Sequence, residues 1–258
     1  MMNFLIQIMP NLIDRIDVFG DAIIETLLMV LISGAVSALF GIVFGVILVV
    51  TRPGDILENR ILNTILGRII DLFRAVPFII LVMVLSPLTL LISGASIGLK
   101  ATFFPLIVGT VPFFARQVEQ AIAETDRGLV EASESMGLAP LEIIFKVYLR
   151  ESVPSIIRAT TITFISMIGL TAIVGAIGGG GLGAFCYNYG YSQSNFDIMW
   201  VSLIVIVILT IIVQLIGDLL VRKQHIRKGD IIYEEIMEII SSCGLNGKLG
   251  RMWIQRIR

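Results

Sequence analysis

A chain of 258 residues that is 56% hydrophobic and 15% charged has a mean hydropathy of +0.94. Ordinary soluble domains carry about 25% charged residues, so this composition excludes that class. The formal net charge of −1 is close to balance, so topology must be read from where basic residues fall, not from their sum.

The apolar residues are gathered into runs. Residues 27–50 are 24 positions without a charge, 75–99 are 25, 159–196 are 38 and 198–217 are 20. About 20 apolar residues cross about 30 Å of hydrocarbon as a helix, so each run is long enough to span a bilayer. A shorter run, 101–115, continues helically through Gln117, Val118, Ala121 and Ile122, with Arg116 and Glu119 towards its end. The expectation is an all-α membrane protein with five transmembrane helices.

In chain order, residues 1–21 have no basic run before Phe4, and Asp14, Arg15 and Asp17 interrupt any apolar core. That pattern reads as an amphipathic lead-in at the interface and not as a secretory signal. Residues 22–222 form the transmembrane domain, with spans at about 22–50, 69–92, 102–123, 154–177 and 197–221. Span one carries the pairs Ser37/Gly41 and Gly41/Gly45, whose small-xxx-small spacing permits close helix contact. Arg52-Pro53-Gly54-Asp55 ends it. Span two places Asp71 and Arg74 three apart at its edge, where they can pair, and Pro77 and Pro87 are kink positions. Span three contains Pro105 and Pro112.

Orientation follows from the basic residues. With the N-terminus outside, the outer segments hold Arg15 and Lys100, and the other seventeen Lys and Arg fall on inner segments or inner helix ends. The positive-inside rule selects that topology. The C-terminus and the charged stretch 124–154 then face the cytoplasm.

That stretch has local signals of its own. Asp126 can cap a short helix, Gly137 suits the residue just past its end, and Pro140 suits the first turn of the next helix. Glu142 and Lys146 form an i,i+4 pair in the favourable order. Leu141, Ile144, Phe145, Tyr148 and Leu149 make an apolar stripe. A short helix exposing Leu129, Val130 and Met136 fits a partner's groove; from the residues alone, a solvated linker packed on the spans is equally compatible.

Glu131-Ala132-Ser133, three residues, Gly137, nine residues, then Val147-Tyr148-Leu149-Arg150 resembles the EAA motif of ABC importer permeases. Ser133 stands where the motif has its second Ala, and Arg150 where it has a closing Pro, with a proline following at Pro154. Residues 74–78, 111–119 and 175–183 look like the methionine importers within that family. The resemblance implies a type I ABC importer permease with a cytoplasmic coupling-helix loop, working as a homodimer in a bacterial inner membrane. It implies two cytoplasmic ATP-binding subunits touched by Glu131, Ala132, Ser133, Gly137 and Leu138. It also implies an extracytoplasmic substrate-binding lipoprotein delivering methionine, L- with D- as a second candidate, and ATP hydrolysis on a separate subunit.

Other features carry less. The glycine-rich 178–183 lacks the Gly-Lys-Ser/Thr of a phosphate loop and reads as a close-packing turn. Tyr187, Tyr189 and Tyr191 after it are either an interfacial belt or a landing surface for the binding protein. Ser166, Met167, Thr171 and Ile173 on span four are candidates for the translocation path, with ordinary helix packing as the alternative. The pairs Asp71/Arg74, Arg116/Glu119 and Asp218/Arg222 lie at inner span ends. With no ionisable group at the midplane, the pattern favours an external energy source over ion coupling. No catalytic motif, metal cluster or cofactor site is expected; Cys186 and Cys243 lie on opposite sides, and His225 lacks ligand partners. Residues 223–258 form a tail with an amphipathic helix at 230–244. The partners implied are therefore protein subunits and membrane lipid, not nucleic acid. A permease of the same architecture for another solute, or a secondary carrier or scaffold without an ATPase, are the competing functions.

Overall fold

The structure, a computed structural model, describes residues 9–242, with side chains as far as Gln224. The described residues are helical and contain no strand. A short helix α1 (Pro10–Ile13) precedes α2 (Ile16–Val50), and α3 (Arg60–Ala75) and α4 (Phe78–Ser93) follow. Next come α5 (Leu99–Ala123) and the short α6 (Arg127–Ser135). From Pro140 to Gly179 the chain makes one 40-residue run. It comprises α7 (Pro140–Ile143), a π-helical turn (Ile144–Tyr148), α8 (Leu149–Val174) and a second π-helical turn (Gly175–Gly179), inside which Ile177 (φ −100°, ψ 18°) and Gly178 (φ +98°, ψ 14°) leave the helical region and kink the run. Then α9 (Gly181–Phe185) runs into a third π-helical turn (Cys186–Tyr191), and α10 (Phe196–Ser242) closes the described chain.

Four helical runs are long and apolar enough to cross a membrane: Ile16–Val50, Leu99–Ala123, Pro140–Gly179 and Phe196–Gln224; the bent pair α3 and α4 makes a fifth if counted as one span. The second span departs from the straight 69–92 expected. The chain bends by 105° between α3 and α4. Its cause is local: Val76 precedes a proline, which disfavours the helical region, and it adopts an extended ψ of 125°. Pro77 then starts α4, while Pro87 is accommodated inside it. Upstream of the bend, α3 leaves Ile61, Ile65, Ile69 and Leu72 exposed on one stripe, the pattern of a helix lying in the membrane interface. Its other face buries Gly67 and Ile70, and Asn63 donates to the Leu48 carbonyl at 2.6 Å.

Small residues set the packing of α2. The ring of Phe114 on α5 lies where a Cβ on Gly41 would be, and a Cβ on Gly45 would meet Val118 at 2.6 Å and the Ala115 carbonyl at 2.9 Å. Gly34 receives Phe164 of α8 in the same way. The small-xxx-small pairs thus bring α2 against α5.

Two apolar clusters mark the two ends of this packing. One gathers Val49, Val50, Ile122, Val130, Ile143 and Tyr148. The other gathers Leu12, Ala22, Leu182, Phe185 and Ile198. By compactness the chain divides after Gly217. Apart from Asp218 and Arg222, the features described below lie before the division. After it, the backbone of α10 stays helical to Ser242; Cys243 and Gly244 and the side chains of the expected amphipathic face at 230–244 lie outside the described residues.

Candidate functional site

The segment between α5 and α8 is built from local hydrogen bonds. The Asp126 carboxylate accepts the Gly128 amide at 2.8 Å and caps α6. Gly137 takes φ +80°, a left-handed value natural to glycine. The Gly137 amide then donates to Glu134 O at 2.9 Å and the Leu138 amide to Ser133 O at 3.2 Å. Pro140 opens α7, and Glu142 accepts from Lys146 Nζ at 2.7 Å and from the Ala139 amide at 3.3 Å.

Two faces of this segment differ sharply. Glu131, Ala132 and Gly137 are exposed, Leu138 is half-buried, and Ser133 is buried, with its hydroxyl donating to Leu129 O at 2.7 Å. Leu129 is 46% exposed, Met136 72%, Leu141 66% and Phe145 66%. Val130, expected to be exposed with Leu129 and Met136, is instead buried beside Ile143, Ile144 and Tyr148. It is the residue that seats α6 on the bundle. The stripe expected on the following helix divides in the same way: Ile144 and Tyr148 face inward, Leu141 and Phe145 outward.

Tyr148 makes a long-range tie that local pattern did not reveal. Its hydroxyl donates to the Asp55 carboxylate, 2.9 and 3.0 Å from its two oxygens, fixing the segment to the turn after α2. The available signal was the hydroxyl itself, since a tyrosine in an apolar stripe needs a polar partner for its tip. In the same turn the Gly54 amide, and then Arg60, hold the Glu58 carboxyl below its ordinary range.

Beside this turn lies a charge network. Arg116 binds Asp71 through Nε at 3.0 Å and a terminal nitrogen at 2.8 Å, and also reaches Glu119 and the Gly67 carbonyl. Glu119, 7% exposed, accepts a second guanidinium from Arg52 at 2.7 Å. Arg74 meets Asp71 at 3.4 Å. The pairs Asp71/Arg74 and Arg116/Glu119 therefore form and are joined into one network linking α3, α5 and the end of α2. Asp218 and Arg222 form no ion pair among the described residues.

A cleft of about 730 Å³ opens between the α3–α4 bend, α5 and α8. Ser166 and Met167 line it, together with Phe78, Gly109, Thr110 and Phe113. Thr171 and Ile173 do not: Thr171 is buried, its hydroxyl donating to Ile168 O at 2.7 Å, and Ile173 is 38% exposed elsewhere. The four path candidates are thus not brought to one surface within this chain.

At the opposite end, the glycine-rich turn is held from α2. The Gly181 amide donates to Glu25 Oε2 at 2.6 Å and the Leu182 amide to Thr26 Oγ1 at 2.8 Å. Gly178, Gly180 and Gly181 all have positive φ, and a Cβ on Gly175 would fall 2.5 Å from the Ala184 nitrogen. Among the tyrosines, Tyr187 and Tyr191 stack at 5.8 Å and are exposed. Tyr189 instead packs on Phe185 at 5.3 Å and lies under Arg15 at 4.5 Å.

With this geometry in place, comparison with known proteins is direct. The family model for the binding-protein-dependent transport system inner membrane component matches residues 37–226. The chain is 44% identical over 207 residues to a probable D-methionine transport system permease protein MetI of Vibrio cholerae, covering 80% of this chain and 92% of that protein. It is 41% identical over 174 residues to the methionine import system permease protein MetP of Bacillus subtilis, covering 67% and 78%. A solved structure of the inward-facing MetNI methionine ABC transporter superposes with a TM-score of 0.80 at 43% identity, over 82% of this chain and 98% of that one. A second solved structure, of an amino acid ABC transporter, shares only 18% identity at a TM-score of 0.68 and speaks to fold alone. The chain is a multi-pass membrane permease belonging to the family of inner membrane components of binding-protein-dependent transport systems.

Proposed function

We propose that this chain is the membrane-spanning subunit of an ATP-driven importer that passes methionine into the cytoplasm. It works as a homodimer with two cytoplasmic ATP-binding subunits and receives solute from an extracytoplasmic binding protein. The observation that carries this reading is α6 with its flanks: a capped short helix, seated by Val130, that leaves Leu129, Met136, Leu141 and Phe145 uncovered beside Glu131 and Gly137. An apolar patch of that kind on a charged segment is what a partner's groove covers. Glu131, Ala132, Ser133, Gly137 and Leu138 are the coupling residues. Buried Ser133 acts by shaping the helix, the exposed ones by contact. The N-terminus is outside, as the distribution of Lys and Arg favours. The identity to named methionine permeases supports the solute. Tyr187 and Tyr191 are the outer-face residues open to a binding protein; Tyr189 is committed to packing.

The mechanism is mechanical. Closure of the two ATP-binding subunits displaces the segments they grip, and the spans shift between inward- and outward-open arrangements. Proteoliposomes holding the chain with its co-purifying ATP-binding subunit and binding protein should accumulate radiolabelled L-methionine only when ATP is supplied. Accumulation by the chain alone, or a chain that purifies with no nucleotide-binding partner, would overturn the reading.

A further inference from the structure

The cleft beside the α3–α4 bend has a chemistry that coupling does not use. Its volume of about 730 Å³ falls within the range of about 300–1,000 Å³ usual for small-molecule sites. Phe78, Phe113 and Leu170 are half-buried and give it an apolar wall, which Met167 completes. Exposed Asp71 and Arg74 add one charge of each sign to the same wall. Among the described residues Arg74 has one hydrogen bond, the 3.4 Å contact to Asp71, although a guanidinium carries five donors.

Thr110 supplies a second, independent observation. It lines the cleft, it is 2% exposed, and among the described residues its hydroxyl has no hydrogen-bond partner; Ser33, Ser37 and Ser202 share that lack, but none of them lines the cleft. Buried hydroxyls are nearly always satisfied, so an orphan on the wall of a cleft asks for an explanation. The neighbouring hydroxyls of Thr163 and Ser166 are different, because each donates to the carbonyl four residues back, at 2.8 and 2.9 Å.

We propose that this cleft is a station for the transported solute within the membrane domain, shaped for an α-amino acid with an apolar side chain. The solute's carboxylate pairs with Arg74, drawing it from its 3.4 Å contact to Asp71; its ammonium shares the Asp71 carboxylate, whose two oxygens stay bound by Arg116 at 3.0 and 2.8 Å. Its side chain lies against Phe78 and Phe113, and Thr110 takes a polar contact as the wall adjusts. A thioether suits that wall, since sulfur is favoured against aromatic rings. A charged side chain does not, because beyond Asp71 and Arg74 the lining residues carry no charge, and a buried unpaired charge is costly. Gly109 shapes the site: a Cβ there would fall 2.9 Å from the Phe78 ring, so any larger residue displaces that ring. The inference rests on the reading that this chain passes methionine.

The test uses the purified chain with its ATP-binding subunit, without the binding protein, so that bound radiolabelled L-methionine reports sites in the complex itself. Saturable binding is expected to weaken at least tenfold in Arg74→Gln, with partial recovery in Arg74→Lys, which keeps the charge but not the fork. Thr110→Val should weaken binding severalfold while the unfolding temperature holds or rises, because it removes an unsatisfied hydroxyl and keeps the shape. A merely structural Thr110 would leave binding unmoved. Gly109→Ala should shift competition from methionine towards smaller apolar amino acids. If the wild-type assembly shows ATP-driven methionine uptake but binding and competition are the same in all four variants, the station is overturned and the function stands. If the wild-type assembly takes up no methionine, both fall.

Discussion

The two ends of the helical bundle solve opposite problems. In the glycine-rich turn itself the backbone is satisfied within the chain: Glu25 and Thr26 accept the amides that open α9, Arg15 covers Tyr189, and the glycines let backbone meet backbone. Around α6 the backbone is equally well capped, yet Leu129, Met136, Leu141 and Phe145 stand in the open. Dense internal satisfaction resists change. Capped backbone with uncovered apolar side chains is the state of a surface awaiting its complement. Mutations in the glycine turn should therefore act on folding, and mutations of the exposed residues around α6 on coupling.

The sharpest break of that contrast is Gly175→Val. Its Cβ would lie 2.5 Å from one backbone nitrogen and 2.7 Å from a backbone oxygen, atoms that cannot swing aside, so a loss of about 3 kcal/mol or more is expected. Fluorescence-detected gel filtration should show little folded protein. At the other end, Glu119→Gln leaves Arg52 and Arg116 facing each other without their shared carboxylate. About 2 kcal/mol is expected, below the usual loss for a buried pair because the arginine side chains are 35% and 20% exposed; thermal unfolding in detergent reads it. Gly137→Val meets no atom within 4 Å but forces a branched residue to φ +80°, a local cost of about 1–2 kcal/mol. Membrane insertion should persist while ATP-driven uptake falls, and wild-type uptake in that variant would count against a coupling role.

Smaller effects refine the comparison. Tyr148→Phe removes the tie to Asp55 and should cost about 1–2 kcal/mol, with the coupling segment opening to hydrogen exchange before the bundle does. Glu58 gives the least. Its carboxyl titrates below the ordinary 4.5, so its stabilising contribution is complete above that value and fades as pH falls through the lower folded one. The difference in unfolding temperature between wild type and Glu58→Gln should be small at neutral pH and shrink on acidification below 4.5.

What could be read from the chain was what is local. Runs of uncharged residues mark the membrane helices, and Asp126, Gly137 and Pro140 mark the boundaries around α6, because caps and left-handed turns depend on neighbours a few positions away. Pro77 marks a kink, but a proline alone does not give its size: Val76 and Pro77 together turn the chain through 105°, so the residues before them form a separate helix. The role of Glu25 has no local signal, because its partner, Gly181, is 156 positions distant. The burial of Val130 and Tyr148 likewise depends on α2 and α5 arriving beside them. Periodicity says which residues share a face, but only the packed neighbours decide which face turns inward.

The long run that begins at Pro140 stays helical as far as Ala176, before the non-helical backbone of Ile177 and Gly178. That length of helix makes a rod about 55 Å long, which joins the neighbourhood of α6 directly to the glycine turn on Glu25. A push on its first turns reaches the far side through covalent backbone, with no relay of rearranging side chains between. A π-helical turn at 144–148 lies near one extremity and the kink at Ile177 and Gly178 at the other, so each tip can swivel while the shaft between them keeps its length.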